Sequence, residues 1–441
     1  MATIDVEAPA RRRFGLTLPD SLSALAERDF RIVWIGQAVS MTGTWMQAIA
    51  QGLLVLQLWD SAFGLGVVNF ANALPSLVVM LFGGVLADRA DKRRILIITQ
   101  AIMMMLALTL GILILTDRIE FWMIIAASAA LGIAFGYDMP AYQAFLPDLV
   151  PPEKISQVVA LNSSTFHGTR MVGPAMAGVI ISVFGLATAY FLNAASFVAV
   201  LVSLVIIRYR ATPRPAHMVQ SSAIEGLKEG IRYARSRPHI MTLLCLTALN
   251  TALLFPFLAI LTPFYVKEVL DSGPGVLGLL WAGSGVGSVL GAMALIWWSD
   301  HARALRMWAA AFVAPVIMLA LAFTREPIVA LLLMPFVSFA FSSQLGLIQT
   351  MLQESTPPQF RGRVMSLSGI MFNGTMPLAG LAAAGLAAVT GLPFVMILMG
   401  SLYAVLATLM LRFAGGGIGA VVSQSRAEFD VISALAPQRG H

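Results

Sequence analysis

The sequence predicts an all-α membrane protein with twelve transmembrane helices in two pseudo-symmetric six-helix bundles. Three observations carry this prediction. Of 441 residues, 58% are hydrophobic and 11% charged, with mean hydropathy +0.83. A soluble domain has about 25% charged residues, and a water-soluble core stops growing near about 250–300 residues, so lipid has to serve as part of the solvent. Apolar stretches near the roughly 20 residues needed to cross a bilayer recur twelve times along the chain. Finally, the two halves align with each other. LADRADKRR (86–94) lies over WSDHARALR (298–306), pairing Asp88 with Asp300, and LPDLVPPEKISQVVALN (146–162) lies over LQESTPPQFRGRVMSLS (352–368). Six-span repeats of this kind place a transport site between the halves.

Residues 1–29 read as a cytosolic N-terminal arm. RRRF at 11–14 has the look of a twin-arginine export signal, but GLTLPDSLSALAERDF follows it without an apolar stretch. The N-terminal bundle, 30–207, holds spans near 31–57, 64–87, 94–115, 120–146, 155–183 and 187–207. Residues 208–239 form a cytosolic linker. Within it Ile224, Leu227, Ile231 and Ala234 share one face of an amphipathic helix, expected to lie along the membrane surface. The C-terminal bundle, 240–413, holds spans near 240–266, 275–298, 306–324, 328–352, 364–389 and 392–412, and 414–441 is a cytosolic tail.

Charge sets the orientation. With the N-terminus inside, 24 of the 28 Lys and Arg residues fall on cytosolic segments. Arg118, Lys267 and Arg325 fall outside, and Arg170 lies within span five. This predicts a multi-pass inner-membrane protein with both termini cytoplasmic. The formal charge of +6 does not indicate nucleic-acid binding, because the positive residues sit in short runs between apolar segments. The single cysteine, Cys245, excludes an intrachain disulfide and reads as a small core residue. No phosphate-binding loop, metal-ligand cluster or Ser/His/Asp arrangement stands out, so neither an ATP-driven pump nor a membrane enzyme is expected, and no cofactor or metal.

GGVLADRADKRR (83–94) resembles the motif between spans two and three of the major facilitator superfamily: Gly84, Asp88, Arg89, Arg93 and Arg94 match, with Asp91 near where many members have glycine. That aspartate, with TGTWMQAIAQ (42–51) and ALNSSTFHGTRMVGPAMAG (160–178), is similar to the branch of transmembrane secretion effectors, which includes enterobactin exporters. The resemblance implies the major facilitator fold over roughly residues 22–413 and a gating role for Asp88 on the cytosolic side. The alternative for Asp88 is a solvated loop charge. The family's exporters carry Gly-x-x-x-x-Gly-Pro on span five, matched by Gly168, Gly173 and Pro174 and extended by Gly178. Small residues there permit close helix packing and proline bends the span.

Two charges are embedded in spans. Arg170 lies about 20 Å from the cytosolic face and Asp138 about 15 Å, at 1.5 Å per residue. Charge at such depth faces a cavity or a partner. Spans four and five form a hairpin that brings the two within reach, so Arg170 is expected to be either the counter-ion of Asp138 or the cation that meets an anionic substrate. Protonation of Asp138 would release such a pair and couple transport to protons; the alternative is a permanent salt bridge. His167 is a second proton candidate or a hydrogen-bonding residue. On span one, Gln37, Ser40, Thr44, Gln47 and Gln51 share a helical face that lipid would not tolerate. In the family, spans one, four, seven and ten line the central cavity, which adds Tyr142 and Asn250, with Gln344, Gln349 and Asn373 as the neutral hydrogen-bonding counterpart in the second half. The run Met103–Met105 reads as packing.

The expected function is a proton-driven exporter of small amphipathic molecules, acting as a monomer in the lipid bilayer; the alternatives are a proton-coupled importer or a transport-inactive sensor or scaffold. Alkaline phosphatase fused after residue 117 should be active and after residue 413 inactive, with green fluorescent protein giving the opposite pattern. The reverse result would invert the topology.

Overall fold

Most of the apolar segments reach the roughly 20 residues of a bilayer crossing, and with no water in the membrane core a helix satisfies its own backbone. A computed structural model describes residues 20–209, 223–297 and 303–413, with side chains not described at 20–21, 81–89, 223–226, 295–297, 303–305, 308, 411 and 413. The expected Asp88–Asp300 correspondence therefore lies outside the described side chains. A short 3₁₀ turn, Asp20–Ala26, leads into α1 (Arg28–Leu58), α2 (Ala62–Arg89), α3 (Lys92–Leu115), α4 (Phe121–Phe145), α5 (Ile155–Phe184) and α6 (Leu186–Ile206). The linker helix α7 (Ala223–Arg235) follows. The second half comprises α8 (Pro238–Leu253), α9 (Thr262–Glu268), α10 (Pro274–Trp297), α11 (Arg303–Phe323), α12 (Pro327–Glu354), α13 (Pro358–Thr390) and α14 (Leu392–Phe413). Between α8 and α9 a π-turn, Phe257–Leu261, widens the seventh crossing, and Thr262 Oγ1 donates to the Phe257 carbonyl at 2.7 Å there.

Among the described residues, nine of these crossings are long and apolar enough by composition alone to span a membrane. Those that fall short include α1 and α5, whose polar residues lower their hydropathy, while the apolar stretch of α11, Ala309–Phe323, is shorter. Large apolar side chains such as Ile98, Val179 and Leu332 are well over half exposed, on the outer, lipid-facing surface.

Packing repeats between the halves. In the first, α1 packs on α5 and α6, α2 on α4, and α3 on α4 and α6; in the second, α8 packs on α13 and α14, α10 on α12, and α11 on α12 and α14. Among the described residues the halves meet chiefly where α5 crosses α10 and α2 crosses α13. Both depend on small residues, because helices meet closely in lipid only where side chains are absent. A Cβ at Gly278 would lie 2.6 Å from the Pro174 carbonyl oxygen and 2.8 Å from Gly178 Cα, and one at Gly66 would lie 2.6 Å from Ala384 Cβ. Gly173 in turn admits Trp45 and the Thr42 carbonyl. Gly168 does not share this role, since nothing lies within 4 Å of a Cβ built there.

The face that carries the helix ends nearest the termini is held by polar ties. Lys92 binds Asp148 and, at 3.0 Å, the Ala144 carbonyl. Asp91 caps α3 by accepting from the Arg93 amide at 3.0 Å. Lys154 pairs with Glu27 at 2.6 Å. On the opposite face Lys267 of α9 reaches Asp60 at 2.6 Å and the Leu56 carbonyl at 3.3 Å, linking the halves.

The linker helix departs from expectation. Instead of presenting its apolar face to the membrane surface, α7 lays it on α13 and α8. Glu229 pairs with Arg363 at 2.8 Å, Tyr233 stacks on Phe360 at 4.5 Å, and Ala234 is fully buried. Protein offers that face the same desolvation as lipid, together with directional partners.

A Cβ at Gly132 would stand 2.0 Å from the Asn72 carbonyl oxygen. Gly132→Ala should therefore destabilise the detergent-purified chain by the roughly 1–3 kcal/mol typical of overpacking, read as a lower thermal denaturation midpoint. Gly168→Ala, which meets open space, should leave it within error.

Candidate functional site

A cavity of about 430 Å³ opens among α1, α2, α3, α4, α5 and α6, and is walled on one side by the second half. The period of α1 explains its polar wall: Gln37, Ser40, Thr44, Gln47 and Gln51 all line it. Two of these are also tied within the first half. Gln47 accepts from Asn193 Nδ2 at 2.7 Å, and Gln51 Nε2 donates to Ser128 Oγ at 3.2 Å. Gln37 Oε1 is buried without a donor, as is Asn69 Oδ1 on α2. The second half contributes Ala259, Ile260, Pro263 and Trp281, of which the first two belong to the π-turn.

Asp138, only 4% exposed, also lines the cavity. It accepts from Thr99 Oγ1 at 2.6 Å and Gln100 Nε2 at 3.0 Å, both on Oδ1. It does not pair with Arg170. One reason is depth: Asp138 lies seven residues from the end of α4 at Phe145, about 10 Å, whereas Arg170 lies fifteen residues into α5, about 22 Å. The other is lateral position, since α4 packs on α2 and α3 while α5 packs on α1 and α10. The two spans are consecutive in sequence without being the neighbours a hairpin implies.

Arg170 lies instead over the Trp45 ring, its guanidinium carbon 5.8 Å from the ring centre. Trp45 meets Phe166 and Trp281 edge-on, at 5.8 and 6.1 Å. His167 stands beside Phe166, its Nδ1 buried without a partner.

Several expected cavity residues lie elsewhere. Asn250 Nδ2 donates to Gln344 Oε1 at 3.0 Å, and Tyr403 donates to the same oxygen, all three in the core of the second half. Gln349 Nε2 donates to Ser368 Oγ at 3.0 Å, and Asn373 turns back to the Gly369 carbonyl of its own helix. Tyr142 is buried one turn from Asp138, among the core residues of α1, α3, α5 and α6, with its hydroxyl unpartnered. Asn250, Gln344 and Gln349 thus hold helices together rather than line the cavity, because lipid leaves an unanswered amide only another helix to bind; Asn373 bonds within its own helix.

The motif between α2 and α3 is also redistributed. The side chains of Gly84, Asp88 and Arg89 lie outside those described. Arg93 serves the N-terminal bundle itself: its guanidinium donates to the Leu204 and Val205 carbonyls at 2.6 and 3.0 Å, closing the C-terminal end of α6, where a cation suits the helix dipole. Arg94 leans toward Asp91 at 3.6 Å. Nor is the methionine run simply packing, since Met103 lines the cavity while Met105 is exposed to lipid. The reading of the sequence passed over Thr99, Gln100, Asn69, Asn72 and Asn193. Thr99-Gln100 is the isolated polar pair of α3, and Asn69 and Asn72 recur at a helical step; those were the available signals.

Comparison places this geometry among known proteins. The transmembrane secretion effector family profile matches residues 20–440. The multidrug efflux pump Tap of Mycolicibacterium fortuitum is 24% identical over 357 residues, covering 79% of this chain and 87% of that protein. Macrolide efflux protein A of Streptococcus pyogenes is 25% identical over 367 residues, with the same coverages of 79% and 87%. A bacterial homologue of the human lysosomal transporter Spinster, solved inward-facing and unoccupied, superposes with a TM-score of 0.66 at 14% identity, covering 94% of this chain and 99% of that one.

Gln344→Leu should leave Asn250 and Tyr403 without their acceptor and destabilise the purified chain by about 1–3 kcal/mol per orphaned group. Ligand affinity at the cavity, measured on the fraction still folded, should not change. A selective loss of affinity would instead place Gln344 in the site.

Proposed function

The chain belongs to the transmembrane secretion effector family of the major facilitator superfamily, and on that premise we propose that it exports small amphipathic molecules across the inner membrane in exchange for protons. The observation that carries this reading is the cavity itself. Its volume suits a small organic molecule. Its wall combines amides with aromatic and aliphatic faces, it is bounded by both halves, and it contains a buried carboxylate. A sensor or scaffold has no need of that combination. Efflux names among the relatives, and the Gly173-Pro174 motif on α5, favour export over import.

Asp138 is the proton site in this reading. Thr99 and Gln100 both engage Oδ1, which leaves Oδ2, on a residue lining the cavity, to take up a proton. Protonation removes the charge assistance from those two hydrogen bonds and loosens α4 on α3. Helix α3 packs on α6, and α6 on α1, so the change reaches the polar wall. A ligand shifts such an equilibrium only by its differential affinity for the two states; here proton and cargo differ in which state they stabilise. The glycine-lined α5–α10 and α2–α13 crossings serve as pivots. Opening on the far face requires Lys267 to leave Asp60, and Pro263 to leave Gly52, where an added Cβ would come within 2.8 Å. Both termini are cytoplasmic in this arrangement.

The test is accumulation of a panel of fluorescent amphipathic dyes in energised cells. Wild type should lower accumulation of at least one dye, and a protonophore or Asp138→Asn should abolish that effect, while Asp138→Asn should still exchange dye across proteoliposomes without a gradient. Efflux indifferent to both treatments would refute proton coupling, and dye uptake would reverse the direction.

A further inference from the structure

Arg170 is the single formal charge between Ile155 and Ile207, and among the described residues it has neither an ion-pair nor a hydrogen-bond partner. The Trp45 ring face is its contact. Two nearby side chains also carry a buried polar atom without a partner. Trp281, whose ring meets Trp45, has its indole N–H buried with no acceptor, and an indole nitrogen can only donate. His167 Nδ1, one turn from Arg170 on the same helix, is also buried and unpartnered. Trp45, Phe166 and Trp281 line the cavity; Arg170 and His167 do not, and Arg170 adjoins the cavity across the Trp45 ring. The corner therefore holds two donors without acceptors, the Arg170 guanidinium and the Trp281 indole N–H, whereas Asp138, the acid of the cavity, lies about 12 Å away along the bundle axis and already has two donors of its own half.

A guanidinium at this depth is expensive unless an anion or a strong acceptor meets it. A ring face answers it only in part, while a carboxylate matches its fork of N–H groups and accepts charge-assisted hydrogen bonds. An organic cation would meet the opposite situation, because Arg170 already occupies the Trp45 face and repels a like charge. We infer that the Trp45–Arg170–Trp281 corner binds a carboxylate of the cargo, so that the substrates are amphipathic organic acids with an apolar or aromatic body. The inference rests on the export reading: the aliphatic wall of Val55, Leu65 and Ile260 takes the body, and Arg170 holds the acid group.

Energy transfer from tryptophan to a bound pyrene tests this on the full chain in nanodiscs. Three probes share one body: 1-pyrenebutyrate, 1-pyrenebutyramide and 1-pyrenebutylamine. Wild type should bind the butyrate most tightly and saturably. Arg170→Gln should weaken the butyrate on the order of tenfold, as expected for a charge-assisted hydrogen bond, and leave the amide unchanged, which also reports an intact fold. Arg170→Lys should fall between. The inference is overturned if the amine matches or exceeds the butyrate in wild type, or if Arg170→Gln binds the butyrate as wild type does. Saturable binding of the amide with no gain for the butyrate would remove the charge assignment and keep the cavity. If no probe binds saturably, the cavity reading falls and the inference falls with it.

Discussion

Lipid offers no hydrogen-bond partner, and that condition organises this molecule. Each polar side chain carried by a span has to be answered by another helix, by its own backbone, or by a space that admits water or cargo. Serines and threonines along the helices bond back one turn, as Thr165 and Thr251 do. Amides cannot do this as readily, and they pair across helices: Gln47 with Asn193, Asn250 with Gln344, Gln349 with Ser368. The amides of Gln37 and Asn69, each with a buried oxygen that no donor meets, line the cavity.

The same condition separates the halves. Their helix packing is equivalent pair by pair, yet their polar groups are used differently. The second half closes Asn250, Gln344 and Tyr403 into one buried cluster and offers the cavity an aliphatic wall and one indole. The first half leaves its amides and Asp138 at the cavity edge. Its terminus-side face is held by Lys92, Asp148 and Arg93, of which Arg93 matches the sequence motif between spans two and three, and here they bind α3 to the ends of α4 and α6. Between the halves, glycines at α5–α10 and α2–α13 bring backbones together without side-chain interlocking, a contact that resists separation more than rotation.

Twelve spans, the repeat and the polar face of α1 were legible because each is a local property: length, composition, or a step of three and four residues. The α1 stripe could be placed at the cavity from its period alone, since lipid excludes every other position for five polar residues in a row on one face. Pairing was not legible in the same way. Asp138 and Arg170 appeared to be partners because their spans are consecutive, and consecutive spans often pack. Here α3 lies beside α4 and α1 beside α5, so the carboxylate meets Thr99 and Gln100 and the guanidinium meets Trp45.

By itself, then, the sequence determined that this chain lives in a membrane, how often it crosses, and which face of α1 turns inward, because the penalty for exposing charge or amide to lipid acts on each residue separately. The tertiary structure decided which polar groups answer one another and which are left for a cargo. That depends on neighbours brought together from distant parts of the chain, such as Trp45, Arg170 and Trp281, whose helices are adjacent only after the two halves have met.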